Sequence, residues 1–141
     1  MLQPKKTRYR KYQKGRNRGI AQRGYGLTFG EYGLKSLEHG VITSRQIESI
    51  RVCMNRIIGK DGKLCIRIFP DKPITRKPAG VRMGSGKGNV EFYGAVVKPG
   101  TVLVELGQIS RDIAKLAIER ASDKLPIKVK MMTHKDNVEL R

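Results

Sequence analysis

The residues of this 141-residue chain that could bind a ligand are concentrated in one basic, glycine-rich segment. Residues 70–89 read PDKPITRKPAGVRMGSGKGN, and glycines next to a lysine are typical of phosphate-binding loops. The P-loop pattern would need glycine where the chain has Val81, and Ser or Thr where Gly88 follows Lys87. The glycine spacing also fails the dinucleotide-binding fingerprint. A nucleotide-using enzyme is therefore a weak alternative, for which an ATP and GTP hydrolysis assay should give only background.

The remaining reactive side chains form no catalytic or metal-binding motif. His39 and His134 are far apart in the sequence, and Cys53 and Cys65 do not form a C-x-x-C pair. Both cysteines lie in apolar segments, which predicts buried, reduced thiols with no need for a disulfide. We therefore expect no metal, no cofactor and no catalytic residue.

Net charge is the most informative property of the composition. The chain has 30 Lys and Arg residues against 12 Asp and Glu residues, a formal charge of +18. Such an excess repels itself until a polyanion neutralises it, and nucleic acid or an anionic membrane could do so. No amphipathic helix adjoins the basic clusters, and no apolar run approaches the ~20 residues of a membrane span. We therefore expect nucleic acid as the partner and no membrane.

The first concentration of charge is the N-terminal arm, defined as residues 1–24. Nine cations precede the first acid of the chain, Glu31: Lys5, Lys6, Arg8, Arg10, Lys11, Lys14, Arg16, Arg18 and Arg23. Such a segment cannot bury itself, but RNA phosphates can order it while Tyr9 and Tyr12 stack on bases. A purely solubilising tail is the alternative, and the absence of any counter-charge makes it the weaker interpretation.

The second concentration of charge is the segment 70–89. Its five cations face a single acid, Asp71. Pro70, Pro73 and Pro78 predict that the segment forms neither helix nor strand, and its glycines allow the backbone to approach a ligand closely. Because apolar strands are predicted on both sides, a functional loop on a rigid scaffold is favoured over a flexible linker.

The pattern of the whole chain predicts a single domain of α+β class, with a body at residues 25–132 and a polar tail at 133–141. Thr43 and Gln46 form a capping box that starts one helix, and Ser110 is the N-cap of a second. Five strand segments are predicted, the third and fourth forming a hairpin across Pro99-Gly100: residues 25–37 (short and bent), 63–69, 90–98, 101–106 and 127–131.

Five stretches carry a resemblance to a known family. They are MLQPKKTRYRKYQKGRNRG (1–19), ITSRQIE (42–48), IRIFPDKPITRKPAGVRMGSGKGNVEFY (66–93), VVKPG (96–100) and KLPIK (124–128). Together they closely resemble the bacterial and organellar large-subunit ribosomal protein L16 (uL16) family over nearly the whole chain. The resemblance implies a structural, non-catalytic protein with a compact mixed sheet, two helices and a hammerhead-like β motif.

The resemblance also implies a role for each basic segment. In this family the arm binds large-subunit rRNA, and the matching residues are Lys5, Lys6, Arg8, Arg10, Lys11, Lys14, Arg16 and Arg18. The central loop points towards the peptidyl-transferase centre and tRNA in the A site, and the matching residues are Lys77, Arg82, Met83, Gly84, Gly86 and Lys87. Neighbouring large-subunit proteins are further implied partners. The implied location is a bacterial cytoplasmic ribosome, with an organellar ribosome as the alternative.

A free-standing regulator that binds single-stranded RNA is the remaining alternative. Sedimentation through a sucrose gradient separates the two hypotheses, because a ribosomal protein follows the large subunit quantitatively and a regulator does not.

Overall fold

The fold was obtained as a computed structural model that describes residues 1–137. Over this range the chain forms two α helices, a short 3₁₀ helix and seven strands: β1 (Tyr32–Ser36), β2 (Gly40–Thr43), β3 (Lys63–Ile66), β4 (Lys72–Arg76), β5 (Asn89–Val97), β6 (Val102–Gly107) and β7 (Val129–Thr133). The strands form two antiparallel sheets, with the orders β3-β6-β1-β7 and β2-β5-β4. The α+β class and the two helices are thereby confirmed, and two sheets occur where one compact mixed sheet was expected.

Both helices begin at the predicted N-caps. In α1 (Ser44–Ile58) the Thr43 hydroxyl accepts from the Gln46 N–H at 3.2 Å, and the Gln46 side chain accepts from the Thr43 N–H at 2.9 Å. In α2 (Arg111–Ser122) the Ser110 hydroxyl accepts from the Ile113 N–H at 3.5 Å. These side chains satisfy N–H groups that have no partner within the helix, which is why such short motifs identify a helix start reliably.

The core lies between the two helices and the sheets. One face of α1 contributes Ile47, Ile50, Met54 and Ile58. From α2 the buried residues are mostly alanines, and their small side chains let the two helices pack closely. Burying each large aliphatic side chain contributes roughly 1.5–3 kcal/mol, so this cluster dominates the stability of the body. Cys53 and Cys65 are free and only half-buried, whereas the sequence predicted buried thiols.

The predicted hairpin between residues 90–98 and 101–106 is wrong. β5 pairs with β2 and β4, whereas β6 pairs with β1 and β3. The Pro99-Gly100 turn therefore carries the chain from one sheet to the other, and the Gly100 N–H donates to the Ser36 carbonyl at 2.8 Å. A turn motif specifies a change of chain direction but does not specify which strand pairs next, because pairing depends on distant partners.

The prediction that residues 70–89 contain no strand is also wrong. β4 lies within this segment and pairs with β5, with Pro73 opposite Tyr93. Proline is tolerated because β4 is an edge strand, where its missing N–H need not remove a sheet hydrogen bond. The irregular part is therefore residues 77–88, which close a β4–β5 hairpin whose last pair is Arg76 and Asn89.

The chain before β1 differs from the prediction as well. Residues 25–31 contain no strand, so β1 is the only strand formed within 25–37. The strand predicted at 127–131 is confirmed as β7, which begins two residues later than expected. Lys130 is exposed on this strand, and Lys128 is exposed just before it. The last four residues of the predicted polar tail, 138–141, lie outside the described residues.

Candidate nucleic-acid interface

The N-terminal arm runs over the body in an irregular conformation and is attached mainly through backbone groups. The Asn17 side chain donates to the Val97 carbonyl at 2.7 Å, and the Ala21 N–H donates to the Pro99 carbonyl at 2.9 Å. The His39 ring contacts the Gly19 carbonyl at 2.8 Å. None of these three contacts uses a lysine or arginine of the arm.

Three lysines connect the arm to the β4–β5 hairpin. Lys87 donates to the Tyr12 carbonyl, and Lys11 donates to the Lys87 carbonyl at 3.0 Å. Lys72 on β4 donates to the Lys14 carbonyl at 2.5 Å. Two basic segments that are far apart in the sequence therefore meet, and residues 5–18 and 72–88 together are called the arm–loop surface below.

The positive charge of the arm is not neutralised by the protein itself. Over the described range 1–137, none of the nine arm cations forms an ion pair with a carboxylate. The ion pairs that do form in this range lie elsewhere or at the end of β4, where Arg76 and Glu91 are 3.9 Å apart. The unpaired arm cations repel one another, and this repulsion is relieved when phosphates of a nucleic acid approach.

The hairpin loop at residues 77–88 is exposed at its tip and constrained at its base. The Lys77 ammonium donates to the Gly84 carbonyl at 2.6 Å, and the Met83 side chain is 99% exposed. A Cβ atom at Gly88 would lie 2.7 Å from the carbonyl oxygen of Arg76, so this position requires glycine for close backbone approach. The loop continues directly into a strand, β5, as predicted, and not into a helix.

The predicted site residues are thus partly brought together. Lys11, Lys14 and Lys87 meet at the contact between arm and loop, and the side chains of Arg82 and Met83 are exposed in the loop beyond it. The other predicted cations of the arm are all exposed along residues 5–18: Lys5, Lys6, Arg8, Arg10, Arg16 and Arg18. Lys72 was not among the predicted site residues, and only its position on β4 reveals its contact with the arm.

A buried carboxylate that the sequence analysis missed holds the segment where the arm joins the body. Glu105 on β6 is 1% exposed, and its carboxylate forms an ion pair with Arg67. It also accepts from the N–H groups of Thr28 at 3.1 Å, Phe29 at 2.6 Å and Gly30 at 2.8 Å. Residues 26–30 are called the strap below, and Glu105 with Arg67 is called the clamp.

The clamp decides the ionisation state of Glu105. Burial alone would raise the pKa of this carboxyl group, but the hydrogen bonds from Arg67, Phe29, Gly30 and Thr28 outweigh burial and lower the pKa below its ordinary value of 4.5. The carboxylate is therefore charged at neutral pH. One feature of the sequence could have revealed it, because an acid within the apolar run Val102–Leu106 must be paired if the strand is buried on both faces.

Two classes of site have no support in the described part of the chain. No helix within residues 1–137 is long and apolar enough to cross a membrane. Within the same residues, no group of three or more His, Cys, Asp or Glu side chains could hold a metal ion.

The small α+β body carries a docked basic arm and an exposed basic hairpin loop, a distribution of charge that is typical of nucleic-acid-binding proteins. The sequence model of the family described as ribosomal protein L16p/L10e matches residues 4–132. The chain is 50% identical over 136 residues to the large ribosomal subunit protein uL16 of Christiangramia forsetii, and the match covers 96% of this chain and 98% of that protein. The chain therefore belongs to the ribosomal protein L16p/L10e family and is a structural constituent of the large ribosomal subunit.

Proposed function

We propose that this protein binds large-subunit rRNA through its N-terminal arm and presents the segment 70–89 to tRNA in the A site, near the peptidyl-transferase centre. The protein performs no chemical step, and its contribution to peptide-bond formation is positioning. The observation that best supports this function is the meeting of arm and loop in one surface on which the arm cations, within residues 1–137, have no carboxylate partner.

The two halves of the arm–loop surface carry different parts of this function. The residues that contact rRNA phosphates are Lys5, Lys6, Arg8, Arg10, Lys11, Lys14, Arg16 and Arg18. The residues that face tRNA and the peptidyl-transferase centre are Lys77, Arg82, Met83, Gly84, Gly86 and Lys87. Neighbouring large-subunit proteins complete the set of partners. The protein acts in the ribosomes of a bacterial cytoplasm, with organellar ribosomes as the alternative location.

The arm half is tested by the salt dependence of rRNA binding. A protein with six to ten phosphate contacts loses roughly 10³–10⁵ in affinity between about 50 and 200 mM salt. Arg16→Ala should weaken binding to a large-subunit rRNA fragment and reduce the slope of log K against log[salt] by about one. Lys115→Ala on α2 is the matched control, because this exposed lysine lies 3.9 Å from Glu119 and should not alter the slope. An arm variant with the wild-type slope would contradict phosphate contact by the arm.

The loop half is tested by tRNA accommodation on reconstituted subunits. Arg82→Ala should leave rRNA docking intact and reduce binding of aminoacyl-tRNA in the A site. Lys87→Ala is a less selective variant, because Lys87 also holds the Tyr12 carbonyl and its loss loosens the arm. If Arg82→Ala abolished docking to the subunit instead, the loop would be an rRNA anchor and its assignment to tRNA would be wrong.

Quantitative association with the subunit separates this proposal from a free-standing regulator. The full-length protein should follow the large subunit through a sucrose gradient at a constant ratio to rRNA. A protein that remained mainly in the light fractions would instead indicate a regulator of single-stranded RNA.

A further inference from the structure

A cavity of about 410 Å³ lies between the arm and the three-stranded sheet. Its lining residues include the apolar Val41, Pro73 and Ile74, the aromatic Tyr12 and the cationic Lys72 and Lys87. This volume falls within the roughly 300–1,000 Å³ of typical small-molecule sites. The cavity exists only because the arm is docked, since Tyr12 belongs to the arm and the apolar residues belong to β2 and β4.

The two lysines give the cavity an affinity for an anion. Lys72 and Lys87 each donate to a backbone carbonyl of the arm, and a lysine ammonium has further N–H donors beyond the one used. Neither lysine forms an ion pair anywhere in residues 1–137. The cavity therefore has two fixed positive charges with unused donors, which suits a phosphate group.

The rest of the lining suits a flat aromatic group. Tyr12 packs edge-to-face against Tyr9, with ring centroids 6.0 Å apart and an interplanar angle of 77°. This contact holds the Tyr12 ring in place, and Val41, Pro73 and Ile74 contribute apolar residues to the lining. Sites for single-stranded nucleic acid combine an aromatic ring, which stacks on a base, with cationic groups, which bind its phosphate.

We propose that this cavity binds one unstacked nucleotide of single-stranded RNA. The base contacts Tyr12 and the apolar side chains, and its phosphate accepts hydrogen bonds from Lys72 and Lys87. This inference rests on the proposed RNA-binding function and adds to it a site that contacts a base. A continuous duplex cannot occupy the cavity, because its bases are paired and stacked.

The test is a variant that fills the cavity without changing charge. Val41→Phe on the full-length chain should weaken binding of a short single-stranded oligoadenylate about tenfold, the loss expected for one stacked base. The salt slope should fall by no more than the share of the one phosphate that Lys72 and Lys87 bind, about 0.7 for a single strand. Binding of a short RNA duplex should not change. Ile113→Phe on α2 is the matched control, because Ile113 is 39% exposed and Val41 is 37% exposed.

Two results with Val41→Phe would overturn the cavity as a nucleotide site. One is wild-type affinity for the oligoadenylate. The other is an equal loss of affinity for the RNA duplex, which would mean that the lost contacts are not those of an unstacked base. If Val41→Phe bound the oligoadenylate with wild-type affinity while Arg16→Ala still lowered the salt slope, the cavity proposal would fail and the proposed rRNA-binding function would stand. The failure of one proposal can therefore be told from the failure of the other.

A crosslinking experiment on the unaltered chain does not depend on the folding of a variant. Irradiation with an oligonucleotide that contains 5-iodouridine should link RNA to Tyr12, whereas crosslinks confined to other residues would overturn the proposal. In assembled large subunits, a benzophenone amino acid in place of Val41 should react with rRNA. Reaction with a neighbouring protein instead would assign the cavity to a protein side chain.

Discussion

The clamp and the arm–loop surface handle charge in opposite ways. In the clamp, one carboxylate is almost completely buried and is satisfied by Arg67 and by three backbone N–H groups. On the arm–loop surface, lysines contact only carbonyl groups, and their charges remain uncompensated by the protein's own acids within residues 1–137. The fold thus uses one of its few acids to hold its own structure together, whereas the cations of the arm–loop surface remain free to bind an external polyanion.

This difference also separates a rigid region from a loosely held one. The strap is fixed by the clamp and by Leu27, which packs with Val102 and Met132. The arm is held by a few hydrogen bonds to backbone groups, each contributing only about 0.5–1.5 kcal/mol. Damage to the clamp should therefore destabilise the whole body, whereas damage to the lysine contacts should release the arm alone.

The largest effect is expected from Glu105→Ala. This change leaves the Arg67 guanidinium without its counter-charge and three N–H groups of the strap without an acceptor. Removing one partner of a buried ion pair typically costs about 3–5 kcal/mol. The free energy of unfolding in urea measures this loss. Glu119→Ala removes an exposed carboxylate of α2 and should cost less than about 1 kcal/mol of stability. An equal loss of stability in both variants would contradict the stabilising role of the clamp.

Acid should remove part of the same stabilisation. Because the pKa of Glu105 is lower in the folded protein than its ordinary value of 4.5, its contribution is complete above that value and is lost as the pH falls through the folded pKa. The free energy of unfolding of Glu105→Gln should therefore decline less between neutral pH and strongly acidic pH than that of the wild type. Parallel pH profiles would show that Glu105 has the same pKa in the folded and unfolded chains.

At the base of the loop, Gly88→Ala should destabilise the β4–β5 hairpin by about 1–3 kcal/mol. The new methyl group would lie 2.7 Å from a backbone oxygen, which cannot move as a flexible side chain does. Thermal unfolding measures the cost. Ser85→Ala is the control, because this residue of the loop already has a positive φ of 57° and exposes its side chain. If Gly88→Ala had the same unfolding temperature as Ser85→Ala, the hairpin would be able to accommodate the added methyl group.

A smaller effect is expected from Lys72→Met combined with Lys87→Met. Each change removes one hydrogen bond to the arm, worth about 1 kcal/mol, so the arm should open more often while the body keeps its stability. The rate of tryptic cleavage within residues 5–18 should rise, and the urea midpoint should stay unchanged. Lys77→Met, which removes a contact inside the loop, should not accelerate cleavage of the arm. Faster cleavage in that control would mean that loop order, not the two lysines, holds the arm.

The elements that were predictable have local causes. The capping box of Thr43 and Gln46 and the N-cap Ser110 depend on residues three positions apart, and both helices begin as expected. At β4, Pro73 argues against a strand unless that strand is known to lie at the edge of its sheet, which it does. Edge position is a property of the assembled sheet, so proline alone could not decide it.

Glu105 illustrates a harder case. Its donors come from Arg67 and from the strap, which are 38 and more residues away along the chain. The acid in an apolar strand predicts that some partner exists, but no spacing rule identifies a backbone segment as that partner. The same limit applies to Lys72, whose contact with the Lys14 carbonyl crosses 58 residues.

The sequence by itself determined the charge imbalance, the two basic segments, the helix starts and the family, because composition and short-range motifs carry that information. The tertiary structure alone decided that β5 and β6 lie in different sheets, that Glu105 holds the strap and that three lysines join the arm to the loop. Each of these depends on contacts between residues distant in the chain. Their energies arise only after folding has brought the partners within hydrogen-bonding distance.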